Sequence, residues 1–310
     1  MAEVHQLRTH YVNNLKDKVF FKEDSINGKT YCIFYIHDIN IEEESFVDTF
    51  SQYFPFYVWN EDQIQFIDID NNAENNLGNA SKKCWNSEIV PTRKTKSNGI
   101  YGEVFLDFYE RIVHGRRLIS TYASRRAFSS NSEAKGYDHI GYILNNGVLE
   151  LVIGEAKYVS TVYSAKDALV DDINGKFDSE GKWHPGHLTT EYFNRFLNFI
   201  IQKKESFSTV EKNEIQELMS ELNRELVLGN GEFLQYIITH NMKLNCVFFA
   251  IFQNNSNIPK NLELHYDKIH QEAVNALNVM GVTNYSIEIV FVPTDLTSMH
   301  IKEKIDEFYE

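Results

Sequence analysis

The clearest pattern of apolar and polar positions lies between Ile140 and Ile153. Ile140, Tyr142 and Leu144 alternate on one arm, Val148 to Ile153 is an apolar run interrupted only by Glu150, and Asn145-Asn146-Gly147 stands between them. Alternation on either side of an Asn-Gly pair predicts a β-hairpin. If Asn146 and Gly147 are the central residues of a type I′ turn, Asn145 pairs with Val148, and counting outwards sets Asp138 opposite Glu155. A loop one residue longer would oppose Asp138 to Gly154 and turn Glu155 to the other side of the sheet, unless a bulge near Gly154 restored the geometry.

Around this hairpin the chain from Ile100 onwards alternates between helical and strand periods. Val104, Phe105, Phe108, Tyr109 and Ile112 give a helix over Tyr101 to Val113. Val162 to Phe177, Thr189 to Lys203, Val210 to Leu226, Leu262 to Asn278 and Met299 to Phe308 read as further helices. Cys246 to Phe252 reads as a strand, and Tyr285 to Val292 as a strand stopped by Pro293. The class implied is α/β, a mixed central sheet flanked by helices. The earlier residues have another texture, with strands at Tyr31 to Ile36, Phe56 to Trp59 and Ile64 to Ile69 and a short helix at Glu42 to Tyr53. An Asn-rich polar stretch, Asp70 to Lys83, and a loop, Pro91 to Gly99, follow. A boundary near residue 95 divides an N-terminal α+β extension, 1–95, from a main domain, 96–310.

Composition narrows the class. With 310 residues, 43% hydrophobic and 14% aromatic, the chain holds ample material for a large core. Its longest apolar run, Cys246 to Phe252, is of strand length, and the N-terminus lacks an apolar leader, so no membrane association is expected. Three dispersed cysteines outside any CxxC spacing fit a reduced cytoplasm. A net charge of −14 argues against tight, unaided DNA binding, because Lys and Arg contacts to phosphate supply most non-specific affinity. Basic clusters nevertheless occur at Arg93, Lys94 and Lys96 and at Arg111, Arg116, Arg117, Arg125 and Arg126. Of these, Arg116, Arg117, Arg125 and Arg126, close to the hairpin, are the candidates for nucleic-acid contact.

The hairpin's charged residues carry the candidate chemistry. Opposed residues share a face with Cβ atoms roughly 4.5–5.5 Å apart, and Glu155 and Lys157 share it too, so Asp138, Glu155 and Lys157 converge. Two carboxylates so placed repel unless a cation lies between them, and hard oxygen ligands suit Mg²⁺, with Mn²⁺ as a substitute. Lys157 would then position or deprotonate a water, or offset charge building on phosphate oxygens. The triplet alone is a weak signal, since Glu133-Ala-Lys135 and Glu180-Gly-Lys182 repeat it. Only Glu155-Ala-Lys157 ends an apolar strand. The plainer alternative is a surface ion pair between Asp138 and Lys157 with Glu155 solvated. Glu103 and Glu110, seven apart on the preceding helix, share a face that either one brings towards the hairpin. His184-Pro185-Gly186-His187 offers two histidines as metal ligands, but Pro and Gly break any helix there and no cysteine lies close, so it reads as a loop. No P-loop, GxGxxG or GxSxG motif is present.

Gly136-Tyr137-Asp138-His139-Ile140 followed by Leu149 to Lys157, LELVIGEAK, resembles the active-site core of the PD-(D/E)XK nuclease superfamily. More narrowly, the chain from Tyr101 onwards resembles the HamA family, nuclease subunits of the bacterial Hachiman anti-phage system. The resemblance implies a restriction-endonuclease-like core, metal binding by Asp138 and Glu155, assistance to the attacking water by Lys157, and completion of the site by Glu103, which it favours over Glu110. Tyr137 stands where the superfamily's name has proline. The resemblance also implies DNA as substrate and a HamB-like helicase partner that restrains the nuclease and supplies DNA. The leading expectation is a metal-dependent DNA nuclease effector. A non-catalytic subunit that keeps the fold to regulate a partner, and a stand-alone restriction-type endonuclease, are the alternatives.

Overall fold

The computed structural model describes residues 19–26, 29–36, 53, 56–58, 99–112, 114–118, 137–146, 148–194, 216, 220, 233–253 and 262–294. Nine strands and four helices have defined bounds in this set: β1 Val19–Ile26, β2 Lys29–Ile36, α1 Gly99–Ile112, β3 Arg117–Leu118, β4 His139–Asn145, β5 Val148–Val159, α2 Val162–Asn174, β6 Gly175–Phe177, β7 Trp183–Pro185, α3 Phe233–Thr239, β8 Leu244–Gln253, α4 Leu262–Met280 and β9 Tyr285–Thr294. Seven strands form one sheet in the order β1-β2-β9-β8-β5-β4-β3, and β6 and β7 form a separate pair. β2, β9, β8 and β5 run parallel, with antiparallel strands at both edges. This is the mixed α/β sheet expected of the sequence.

Hydrophobic alternation assigns the faces. Leu151 and Ile153 of β5 join Leu244, Cys246 and Phe248 of β8 in a core completed by α2, α3 and α4. Val152 and Ala156 point the other way, towards α1, whose Val104, Phe105 and Phe108 are buried. A Cβ on Gly154 would come within 2.9 Å of Leu106, so the bare backbone there lets α1 lie close on β5. Glu150, the polar break in the apolar run, is held by Asn145, Asn245 and Lys243.

The hairpin has the two-residue loop. Asn145 pairs with Val148, Asn146 has a positive φ of 51°, and the ladder runs to His139 opposite Gly154 without a bulge. Other expectations need correction. Phe56, Tyr57 and Val58 are helical rather than extended, and their side chains are buried. The helix expected to reach Phe177 ends at Asn174, because Gly175 takes φ 88° and starts β6. Pro293 does not stop β9. It pairs with Phe252 in the strand's last-but-one position, where its missing N–H removes at most one ladder bond. β2, which precedes the boundary placed near residue 95, pairs with β9 at Cys32–Val290 and Ile33–Phe291. Helix is described over 190–194 only, with the rest of the expected 189–203 helix beyond it. The strand at 64–69, the helix at 299–308, most of the helices at 42–53 and 210–226, and Arg93, Lys94 and Lys96 lie outside the described residues.

Two tyrosines four residues apart clamp two acids four residues apart on α1. Tyr53 donates to Asp107 and Tyr57 donates to Glu103. Asp107 is fully buried and also meets His139 Nδ1 at 3.2 Å and Arg111 Nε at 3.4 Å, while Arg111 Nη1 donates to the Phe56 carbonyl. Burial alone would raise its pKa, but Arg111, His139 and Tyr53 together hold Asp107 below the usual carboxylate range. Removing one partner from such a network leaves a buried cation unpaired. Asp107→Ala is therefore expected to lower unfolding stability by roughly 3–5 kcal/mol in urea titration, far more than a surface Asp→Ala.

Candidate metal centre

β4 begins only at His139, whereas β5 runs on to Val159, so Glu155 and the residues after it have no ladder partner on that side among the described residues. Asp138 stands just beyond the ladder, opposite Glu155 when the register is continued. Its Oδ2 accepts a hydrogen bond from the Ala156 N–H at 2.8 Å, so the carboxylate takes over a backbone donor that β4 leaves behind. Glu155 and Lys157 project to the face occupied by α2. There the Lys157 ammonium meets Asp172 of α2, and Glu155 Oε1 meets His187 Nδ1. Glu103 approaches from α1 on the other face, held by the Tyr57 hydroxyl, and its charge bears on Asp138.

Glu155 is 3% exposed, so it is not the solvated carboxylate of a surface pair, and the close ion-pair partner of Lys157 is Asp172 rather than Asp138. Burial and the charges of Glu103 and Asp172 raise the Asp138 pKa to about 6, although Lys157 and the Ala156 N–H oppose them. Burial, reinforced by Asp138 and Asp172, pushes Glu155 well above the carboxylate range. Burial disfavours the Lys157 ammonium, but Asp138, Glu155 and Asp172 more than offset it and raise its pKa. One lysine thus faces three carboxyl groups, and Glu103 adds a fourth acid at Asp138. Glu155 Oε2 is buried without a hydrogen-bond partner, and one donor atom from each of Glu155, Asp172 and His187 lies within 4.8 Å of the others. Excess negative charge, carboxylate oxygens and an unsatisfied buried acceptor fit a divalent cation.

A protein-family model, HamA, matches residues 9–310. The chain belongs to the HamA family. The comparison with curated proteins returns no match.

In this HamA-family protein the other candidate glutamate of α1 is engaged elsewhere. Glu110 is fully buried and bonds Arg116 at 2.6 Å, and Arg116 also reaches Glu288 at 3.5 Å, with His114 at 3.0 Å from Glu288. Arg116, a candidate for phosphate contact, is turned inward to this network. Arg117 lies in β3, its side chain outside the described set, as are Arg125 and Arg126. No described helix is long and apolar enough to cross a membrane.

Asp172 is not among the residues singled out from the sequence, and His187 is set aside there as part of a loop. The segment read as a loop contains β7 and separates its two histidines: His184 meets Asp178 at 2.8 Å, while His187 enters the cluster. A Cβ on Gly186 would lie 2.2 Å from the Ile173 carbonyl oxygen, so only glycine lets this segment press against the end of α2 beside Asp172. A glycine just ahead of a histidine, after a helix that follows the acid-x-lysine strand, was the available signal.

The raised Asp138 pKa fixes the sign of a stability effect. A folded pKa of about 6, above the model-peptide value of 3.8, means that stability is fullest below the lower value and is lost as pH rises through the upper one. In chelator, Asp138→Asn is accordingly expected to raise the melting temperature at pH 7.5, by an amount equivalent to about 1–3 kcal/mol, and the gain should vanish near pH 4. Thermal melts across that range check it.

Proposed function

We propose that this HamA-family protein is a Mg²⁺-dependent deoxyribonuclease, the effector of a Hachiman anti-phage complex, that hydrolyses phosphodiester bonds of DNA supplied by a helicase partner. The observation that carries the reading is the meeting of Asp138, Glu155 and Lys157 where β5 runs on beyond its ladder with β4, with a buried carboxylate oxygen that lacks a hydrogen-bond partner among them. Asp138 and Glu155 would hold the cation, with Glu103 next to them through Asp138. When bound, Mg²⁺ supplies Lewis-acid stabilisation of the phosphoryl oxygens and acidifies water. Lys157, held as an ammonium by three carboxyl groups, is suited to donating hydrogen bonds to a phosphate oxygen as charge develops there, rather than to accepting a proton from water. Asp172 holds Lys157 in position, and Tyr57 holds Glu103. The strongly negative whole-chain charge fits delivery of DNA by another subunit.

Complex reconstituted with its helicase is expected to degrade DNA in Mg²⁺, to stop in chelator and to recover when the ion is restored. Glu155→Ala and Lys157→Ala should each reduce the rate by roughly 10²–10³-fold or more while leaving the complex assembled. Undiminished cleavage by both variants in a quantitative gel assay would remove the assignment.

A further inference from the structure

His187 is held from several sides before any ligand arrives. Its backbone N–H donates to the Asp172 carbonyl, its own carbonyl accepts from the Tyr137 hydroxyl at 2.7 Å, and its ring stacks on Tyr192 with centroids 4.3 Å apart and planes at 17°. The ring meets Tyr137 edge-on at 6.0 Å. These contacts fix the imidazole plane and direct Nδ1 at Glu155. Gly175 and Gly186 set the approach, for a Cβ on Gly175 would lie 2.7 Å from the Gly186 nitrogen. Beside this nitrogen lie the Asp172 carboxylate and Glu155 Oε2, the buried oxygen without a hydrogen-bond partner. The other described cluster of this composition, Glu110, His114 and Glu288, already contains a cation in Arg116. At Glu155 the one close cation is the Lys157 ammonium, which pairs with Asp172, while Glu155 Oε2 keeps no hydrogen-bond partner.

We propose that His187 Nδ1 is a ligand of the divalent cation together with Glu155 and Asp172, and that this nitrogen makes the centre favour Mn²⁺ over Mg²⁺. The inference rests on the metal-centre reading above and deepens it. Imidazole is a borderline donor suited to transition metals, whereas Mg²⁺ favours an all-oxygen octahedron with several waters. An oxygen-only site gains little from exchanging Mg²⁺ for Mn²⁺. A site with one positioned imidazole gains more.

The test uses the full chain stripped of metal and loaded with Mn²⁺. Pulsed electron paramagnetic resonance should show hyperfine coupling to an imidazole nitrogen, retained in His184→Gln and lost in His187→Gln. Calorimetry should show that His187→Gln weakens Mn²⁺ binding by at least ~10-fold and Mg²⁺ binding by less than ~3-fold. The retained Mg²⁺ binding also reports that the variant is folded. An unchanged nitrogen coupling in His187→Gln, or equal weakening of both ions, overturns the His187 assignment while the nuclease reading stands. Mn²⁺ binding that survives Glu155→Gln and Asp138→Asn undiminished overturns the metal centre itself, and the His187 assignment with it.

Discussion

The mismatch in length between two neighbouring strands governs the rest of the candidate site. β4 and β5 share a ladder from Asn145–Val148 to His139–Gly154, and β5 then continues to Val159 with β8 as its only described partner. The chain entering β4 therefore passes Glu155 as irregular backbone, and Asp138 can turn its carboxylate onto the Ala156 N–H instead of pointing rigidly along the pleat. α1 packs on one face here and α2 on the other, so Glu103 and Asp172 both bear on Asp138. A slip of one residue in the hairpin would send Glu155 towards α1 and dissolve the cluster.

Charge balance separates this cluster from two others built nearby by the same elements. Asp107 has Arg111, His139 and Tyr53, and its pKa is lowered despite complete burial. Glu288, with His114, Tyr109 and Arg116 around it, is lowered likewise against the effect of burial. Both clusters carry an internal cation for their acids. Around Glu155 the balance is reversed: a single lysine faces Asp138, Glu155 and Asp172, Glu103 adds its charge at Asp138, and both Asp138 and Glu155 are raised. Burying carboxylates without compensation costs stability unless an ion or a proton supplies the missing charge. The structure resolves that problem twice with arginine and leaves it open once, where the β4–β5 ladder stops.

The parts of the fold written in local patterns were legible. The Asn146-Gly147 hairpin, the helix spacing of Val104 to Ile112 and the apolar run of β8 each declare themselves within a few residues. The same Asn-Gly pair stands at Asn27-Gly28 between β1 and β2, but β1, VFFKEDSI, lacks the clean apolar alternation that makes such a pair legible. Phe56 to Val58 looked like a strand because aromatic and β-branched residues favour one, but packing on α1 overrides that preference. Asp138, Glu155 and Lys157 were legible because the register places them together. Asp172 and His187 were not, since the chain returns to the site through the end of α2 and the β6–β7 pair, and no local period records a tertiary return. Arg116 shows the converse: one member of a basic cluster in sequence is an internal counter-ion to Glu110 and Glu288.

Anomalous diffraction from crystals of the full chain soaked in Mn²⁺ tests the central claim most directly, because it locates the ion without reference to activity. The account predicts one strong peak in the notch at the end of β4, within about 2.0–2.5 Å of a carboxylate oxygen of both Asp138 and Glu155. A fully occupied peak at Glu110 and Glu288 instead, or none at the notch under saturating Mn²⁺, would contradict it.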